Sequence, residues 1–192
     1  MASKDTNRQR ILSVAMEHVK NGTFEDRSIR DFCAEAGITI GIFYRSFPSK
    51  DALYCYCYCQ LVESFVSTID LVLVGLPLHE QVIRLALALL AQMGYPGHHR
   101  LFSDEPETKA VFGHCHQLVL DKLRQILNCG VELGQVDPAQ IPMVIDTFFI
   151  LLRGSYITST NDYKPEAFFP KAEALFQHII PRLLRADDAP RN

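Results

Sequence analysis

Residues 28–53, SIRDFCAEAGITIGIFYRSFPSKDAL, decide the fold. They read as two short helices joined by a tight turn, with a third helix starting at once. Ser28 is placed to cap the first, and Asp31, three residues on, nearly completes a capping box with it. Ile29, Phe32, Cys33 and Ala36 fall at helical spacing and give that helix one apolar face. Ala36-Gly37-Ile38 then supplies a three-residue turn, with its glycine where a left-handed residue ends a helix. Thr39 is positioned to cap the next helix, which runs through Tyr44 to about Arg45. A glycine turn of that length between short helices is the helix-turn-helix pattern, whose second helix enters the major groove of DNA.

The string resembles the DNA-binding region of the TetR family of bacterial transcriptional regulators. The resemblance rests on Ser28-Ile29-Arg30-Asp31, Ala36-Gly37-Ile38, Gly41, Phe43-Tyr44-Arg45-Ser46-Phe47 and Ser49-Lys50-Asp51-Ala52-Leu53. Upstream, Arg10-Ile11-Leu12, Ala15 and Gly22 fit the family's first helix, so the match covers roughly residues 8–54. It implies that Tyr44 and Lys50 contact phosphates and that Thr39, Ile40, Gly41 and Ile42 face base edges. Ser28 and Arg45 complete the expected DNA-facing set. A tyrosine hydroxyl and helix N-terminal amides can position a protein on the backbone without reading sequence. Lys50 opposes the dipole at the start of its helix unless an anion neutralises it. Positions 40 and 42 depart from the family, which usually has polar or small residues there. Isoleucines cannot hydrogen-bond bases but pack on thymine methyl groups, so methyl contacts and DNA shape should dominate the readout.

Composition fits this reading without carrying it. The chain has 192 residues, 48% of them hydrophobic, enough for a real core. Residues 1–54 hold eight basic and seven acidic side chains, leaving eleven basic and fifteen acidic beyond them. The DNA-binding signal therefore lies in placement rather than bulk charge. No apolar run reaches the ~18–20 residues of a membrane span, and no leader pattern is present, so a cytoplasmic location and no membrane partner are expected. The six cysteines show no CxxC pair and read as reduced thiols.

Beyond the head the pattern is helical throughout, and the expected fold class is all-α. A three-helix helix-turn-helix domain, residues 1–48, precedes a larger helical ligand-binding and dimerisation domain, residues 49–192. The first helix is expected from Asp5 or Thr6 to about Asn21, with Ile11, Leu12, Ala15, Met16 and Val19 buried. A long helix should run from Ser49 to about Val74, followed by helix over 78–93 and a loop over 94–107. Residues 108–133 return to helix, with interruption or weakening at Gly113 and Gly130. Asp137-Pro138 and Pro165 open the last two helices, the latter with Pro170 in or just after its first turn and Pro181 placed to kink or end it. These two carry enough apolar surface to form a four-helix interface between two subunits, through Phe148, Leu152, Phe168, Leu175, Phe176, Ile179, Ile180 and Leu183.

The body offers little that resembles catalysis. There is no nucleophile elbow, glycine-rich phosphate loop or HExxH, so no enzyme is expected. Tyr54-Cys55-Tyr56-Cys57-Tyr58-Cys59 is its most unusual string. Cys55 and Cys59 share a helix face and Cys57 points away, so a redox or soft-metal site would need partners from elsewhere. His98-His99 and His114-Cys115-His116 likewise lack convergent partners, and neither a resident metal nor a cofactor is expected. Leu85, Leu89, Met93, Phe102, Phe112, His116 and Phe149 are candidates for a mostly apolar effector pocket. The reading is a dimeric DNA-binding repressor released from a palindromic operator by a small, largely apolar effector. Its alternatives are a redox- or metal-responsive regulator using Cys55 and Cys59, or a helical ligand-binding protein or enzyme that binds no DNA.

Overall fold

The computed structural model describes residues 4–93, 98–161 and 165–184. Helices account for the ordered elements, and no strand occurs among the described residues. In chain order they are α1 (Lys4–Lys20), α2 (Ile29–Ala36), α3 (Ile40–Ser46), α4 (Lys50–Thr68), α5 (Asp70–Leu73), α6 (Leu78–Met93), α7 (Pro106–Glu132), α8 (Ile141–Asn161) and α9 (Pro165–Leu184). Short 3₁₀ turns occupy His98–Phe102 and Pro138–Gln140. The chain forms two compact units, residues 1–65 with 95–117 and residues 66–94 with 118–192.

In the first unit, α1, α2 and α3 pack on one another around aromatic side chains. Ile11, Leu12, Ala15 and Val19 form the buried stripe of α1. Phe24, Phe32, Phe43, Phe47 and Tyr54 are fully enclosed. Ring centroids lie 5.0 Å apart for Phe24–Phe32 and 5.2 Å for Phe24–Tyr54. Each such ring contributes about 1.5–3 kcal/mol through burial alone. The start of α7 lies along α4 in the same unit. The Ser49 hydroxyl donates to Glu105 at 2.6 Å and the Tyr56 hydroxyl to Glu107 at 3.1 Å.

The second unit is built on α6, α8 and α9. Val144, Phe148 and Leu152 on α8, and Ala172, Phe176, Ile180 and Leu184 on α9, recur every four residues and are buried. They face Val82, Ile83, Leu85, Ala86, Leu89 and Leu90, the buried side chains of α6. Phe148 and Phe176 meet with ring centroids 6.2 Å apart.

Four expectations are revised. The long helix stops at Thr68 and restarts for one turn at Asp70. That break keeps Ile69 buried and lets Asp70 accept from the buried Lys122 ammonium at 2.5 Å. Within the expected loop, residues 94–97 lie outside the described residues, 98–102 form a 3₁₀ turn, and Pro106 starts α7. α7 runs through both glycines without interruption. Gly113 faces open space, whereas a Cβ at Gly130 would meet the Leu78 side chain and lie 2.9 Å from Val136. Gly130 therefore marks a close approach rather than a weak point. Pro170 and Pro181 both lie inside α9 without ending it.

Candidate functional site

The turn between α2 and α3 is built as the sequence requires. The capping box is complete: Asp31 N–H donates to Ser28 Oγ at 3.2 Å, and Ser28 N–H donates to Asp31 Oδ2 at 2.7 Å. The backbone and side-chain hydrogen bonds from Ser28 hold the Asp31 carboxyl below the usual carboxylate range. Gly37 ends α2 with φ +66°, and the Gly37 and Ile38 amides close back on Ala34 and Cys33. Phe32, Cys33 and Ala36 are buried beneath the turn and Phe43 beneath α3. α3 is thereby anchored by one face.

Its other face is open. Thr39, Gly41 and Arg45 are exposed, with Ile40 at 40% and Tyr44 at 55% exposure. The Thr39 backbone is extended as at a cap, yet its hydroxyl makes no capping bond. A Cβ at Gly41 would touch nothing closer than Thr39 Oγ1 at 4.0 Å, so any backbone surface can approach there. Arg45 folds along its own helix, its Nε donating to Gly41 O at 3.2 Å. Ile42 is half-buried. Ser28 is exposed, but its hydroxyl and amide are both engaged with Asp31.

Lys50 sits differently from the other expected contacts. It is half-buried, and its ammonium donates to Glu25 O at 3.1 Å while lying 5.1 Å from the Phe24 ring centroid. Burial, followed by the nearby Arg100 guanidinium, pulls its pKa down. The Glu25 carboxylate receives Arg100 Nε at 2.8 Å and Nη2 at 2.7 Å, and Arg100 Nη1 donates to Asp51. Sequence reading missed this cluster, since Arg100 lies on the 3₁₀ turn far along the chain from both acids. Arg8, one of the cations of the head, stacks its guanidinium 4.7 Å from the Phe47 centroid and 4.1 Å from that of Tyr56.

The expected pocket residues fall in both units. In the second, Leu85 and Leu89 are core side chains and Phe149 is half-buried. In the first, Phe102 (exposed) and Phe112 (half-buried) pair at 5.8 Å, and His116 is exposed. The Met93 side chain lies outside the described residues. Of the expected interface, Phe148, Leu152, Phe176 and Ile180 are buried inside the protomer. Leu175 is 49% exposed and Ile179 and Leu183 are half-buried, while the Phe168 side chain lies outside the described residues. Met143 and Ile150 on α8 are exposed as well, at 49% and 69%.

The first unit also holds a cleft of about 410 Å³ lined by Arg8, Tyr56, Cys59, Glu63, Val111 and His114, among others. Cys55 and Cys57 are buried, and desolvation pushes each thiol up to about 12. Cys55 donates weakly to Thr108 O at 3.5 Å. A hydrogen bond with Cys59, then burial, drives the Cys115 thiol well above its ordinary range.

An anchored, glycine-turned helix pair with the second helix exposed defines a helix-turn-helix DNA-binding head. Residues 11–56 match the model of the bacterial regulatory proteins of the tetR family, so the head of this chain carries a TetR-type helix-turn-helix domain. The likeness of solved structures extends this fold over nearly the whole chain. RolR in complex with resorcinol superposes with a TM-score of 0.72 at 17% identity, covering 96% of this chain and 90% of that one. FadR from Bacillus subtilis in complex with stearoyl-CoA gives 0.63 at 14% identity, covering 92% and 97%. The reduced form of NemR from E. coli gives 0.61 at 15%, covering 90% and 97%. No curated protein matches the sequence. No described helix is long and apolar enough to cross a membrane.

Proposed function

We propose that the protein is a dimeric, non-enzymatic repressor that holds a palindromic operator through α3 and is released by a small effector. The observation that carries this reading is the exposed face of α3, where Thr39, Ile40, Gly41, Tyr44 and Arg45 stand on a scaffold whose opposite face is buried. Tyr44 and the α3 N-terminus position the backbone, and Ile40 with Ile42 reads thymine methyls. Lys50 serves a phosphate beside Glu25. Residues 1–48 act as the head and 49–192 as the sensing and dimerising body.

RolR and FadR, with resorcinol and stearoyl-CoA bound, support an organic effector for a body of this shape. Each unit offers its own candidate set: Leu85, Leu89, Met93 and Phe149 in the second, and separately Phe102, Phe112 and His116 in the first. The dimer surface is drawn from the exposed positions of α8 and α9, Met143, Ile150, Leu175, Ile179 and Leu183. An effector that shifts α4 alters the spacing of two α3 helices, with a coupling of about 1–3 kcal/mol that operator and effector must share reciprocally.

The test is a gel-shift series with the full chain on DNA flanking its own gene. Binding of an inverted repeat by a dimer, weakened on every sequence by Tyr44→Phe, supports the reading. Equal affinity for the repeat and for unrelated DNA of the same length overturns it.

A further inference from the structure

Cys59, Glu63 and His114 bring a sulfur, a carboxylate oxygen and an imidazole nitrogen to one cleft. Cys59 and Glu63 are four residues apart on α4 and so share a face, while His114 comes from α7 in the same unit. Cys59 Sγ lies 3.8 Å from Glu63 Oε1, and His114 Nε2 lies 3.3 Å from that same oxygen. All three donor atoms fall within 4.8 Å of one another. A tetrahedral centre with bonds of about 2.0–2.3 Å spaces its ligands about 3.3–3.6 Å apart. Two of the three spacings already match to within a few tenths of an ångström, and side-chain rotation of the exposed His114 closes the third.

We propose that Cys59, Glu63 and His114 form a binding site for one borderline divalent cation of the Zn²⁺ class per chain. The donor set is mixed sulfur, nitrogen and oxygen, which suits Zn²⁺ rather than Mg²⁺ or Ca²⁺, both of which take oxygen ligands. Charge balances as well: one thiolate and one carboxylate neutralise a divalent ion. On binding, the Cys59 S–H bond breaks, the sulfur–metal bond forms, and the proton leaves to solvent through the cleft. His114 binds as the neutral ring through Nε2, and the fourth position faces the cleft, where water completes the coordination.

The ordinary alternative is a surface ion pair between His114 and Glu63, with side chains 57% and 48% exposed. Such a pair is worth little. It also gives no account of Cys59, 5% exposed yet directed at the same carboxylate. Sequence reading paired Cys59 with Cys55; the structure supplies better partners one helix turn along α4 and on α7.

The probe is Co²⁺ followed by Zn²⁺, titrated into the reduced, chelator-treated full chain. One equivalent of Co²⁺ should bind with thiolate-to-cobalt charge-transfer absorption, and Zn²⁺ should displace it. Cys59→Ser should abolish that absorption. His114→Ala, at an exposed position that leaves the fold unchanged by circular dichroism, should weaken binding at least tenfold. Cys129→Ser, exposed and elsewhere on α7, should change nothing. Substoichiometric binding, or binding that survives both Cys59→Ser and His114→Ala, overturns the site. The titration contains no DNA, so the metal site stands or falls independently of operator binding.

Discussion

Replacing Arg100 with glutamine should loosen the first unit in a way that depends on pH. The guanidinium is 19% exposed, and its partners Glu25 and Asp51 are 31% and 33% exposed. It joins the 3₁₀ turn to the segment before α2 and to the first turn of α4. Exposed ion pairs contribute about 0.2–1 kcal/mol, whereas hydrogen bonds to charged groups contribute about 1.5–3 kcal/mol. With the cation mostly covered and the carboxylates about one-third open, a loss of about 2 kcal/mol follows, or about 4–8 °C in Tm for a chain of this size. The sign of the pH effect comes from Glu25, held below its ordinary 4.5 mainly by the Arg100 hydrogen bond and against the opposing effect of burial. A depressed carboxyl stabilises fully above its unfolded value and loses that contribution as pH falls through the folded value. The wild-type advantage over Arg100→Gln should therefore be complete at about pH 6–7 and shrink below about pH 4. Thermal unfolding of both proteins across that range is the assay, with Glu25→Gln completing a double-mutant cycle. A difference unchanged between the two ends of the range, or additive losses in the cycle, would refute a charge-assisted link.

Gly37→Ala should cost about 1–2 kcal/mol from backbone strain alone, because φ is +66° and an added Cβ meets nothing within 4 Å; a gain in urea stability would contradict the left-handed cap. Lys50→Gln should flatten the salt dependence of operator binding by about one unit of slope, and an unchanged slope would remove the phosphate role. Ile42→Ala should instead change preference at thymine positions, read by binding to substituted operators. Phe176→Ala should lose about 3–5 kcal/mol of stability as a core cavity, while Ile150→Glu should dissociate the dimer with the fold intact; sedimentation and calorimetry together separate the two, and a stable dimer of Ile150→Glu would place the interface elsewhere.

The head was legible because its determinants are local. A cap residue, an apolar stripe of period 3.6 and a turn glycine lie within a few residues of one another; Ser28, the stripe through Phe32, Cys33 and Ala36, and Gly37 came out as read, whereas Thr39 makes no capping bond. Charge clusters were not legible, because Arg100 meets Glu25 and Asp51 across 75 and 49 residues of sequence. No spacing rule reaches that far. Periodicity on α9 showed that Phe176 and Ile180 are apolar, but not whether their neighbours come from the same chain. The structure turns them inward with Ala172 and Leu184 and leaves Leu175 outward, which moves any partner surface by about a quarter turn. Likewise nothing in the string around Thr68 announced a helix break; the reason for it, Lys122, lies 52 residues away from Asp70.

The cysteine string shows how identical residues acquire different chemistry. Cys55, Cys57 and Cys59 share one helix and all three are buried, and desolvation pushes the first two thiols up to about 12. A thiol so rarely ionised at neutral pH is a poor nucleophile and is slow to oxidise, which counts against the pair of Cys55 and Cys59 as a redox switch. Cys59 differs because α4 and α7 run in the same direction here: Ser49 meets Glu105, Tyr56 meets Glu107 and Glu63 meets His114. One turn beyond Cys55 the partner changes from the Thr108 carbonyl to a carboxylate and an imidazole. Ser49 and Glu63 are separated by about 21 Å of helix. An ion at Cys59 would therefore tie α4 to α7 at a second point well removed from the Ser49–Glu105 bond. Both ties act on the helix that follows α3. If the cation proves to alter operator affinity, it must do so by stiffening this pair, and Ser49→Ala should then blunt the metal response without touching any metal ligand.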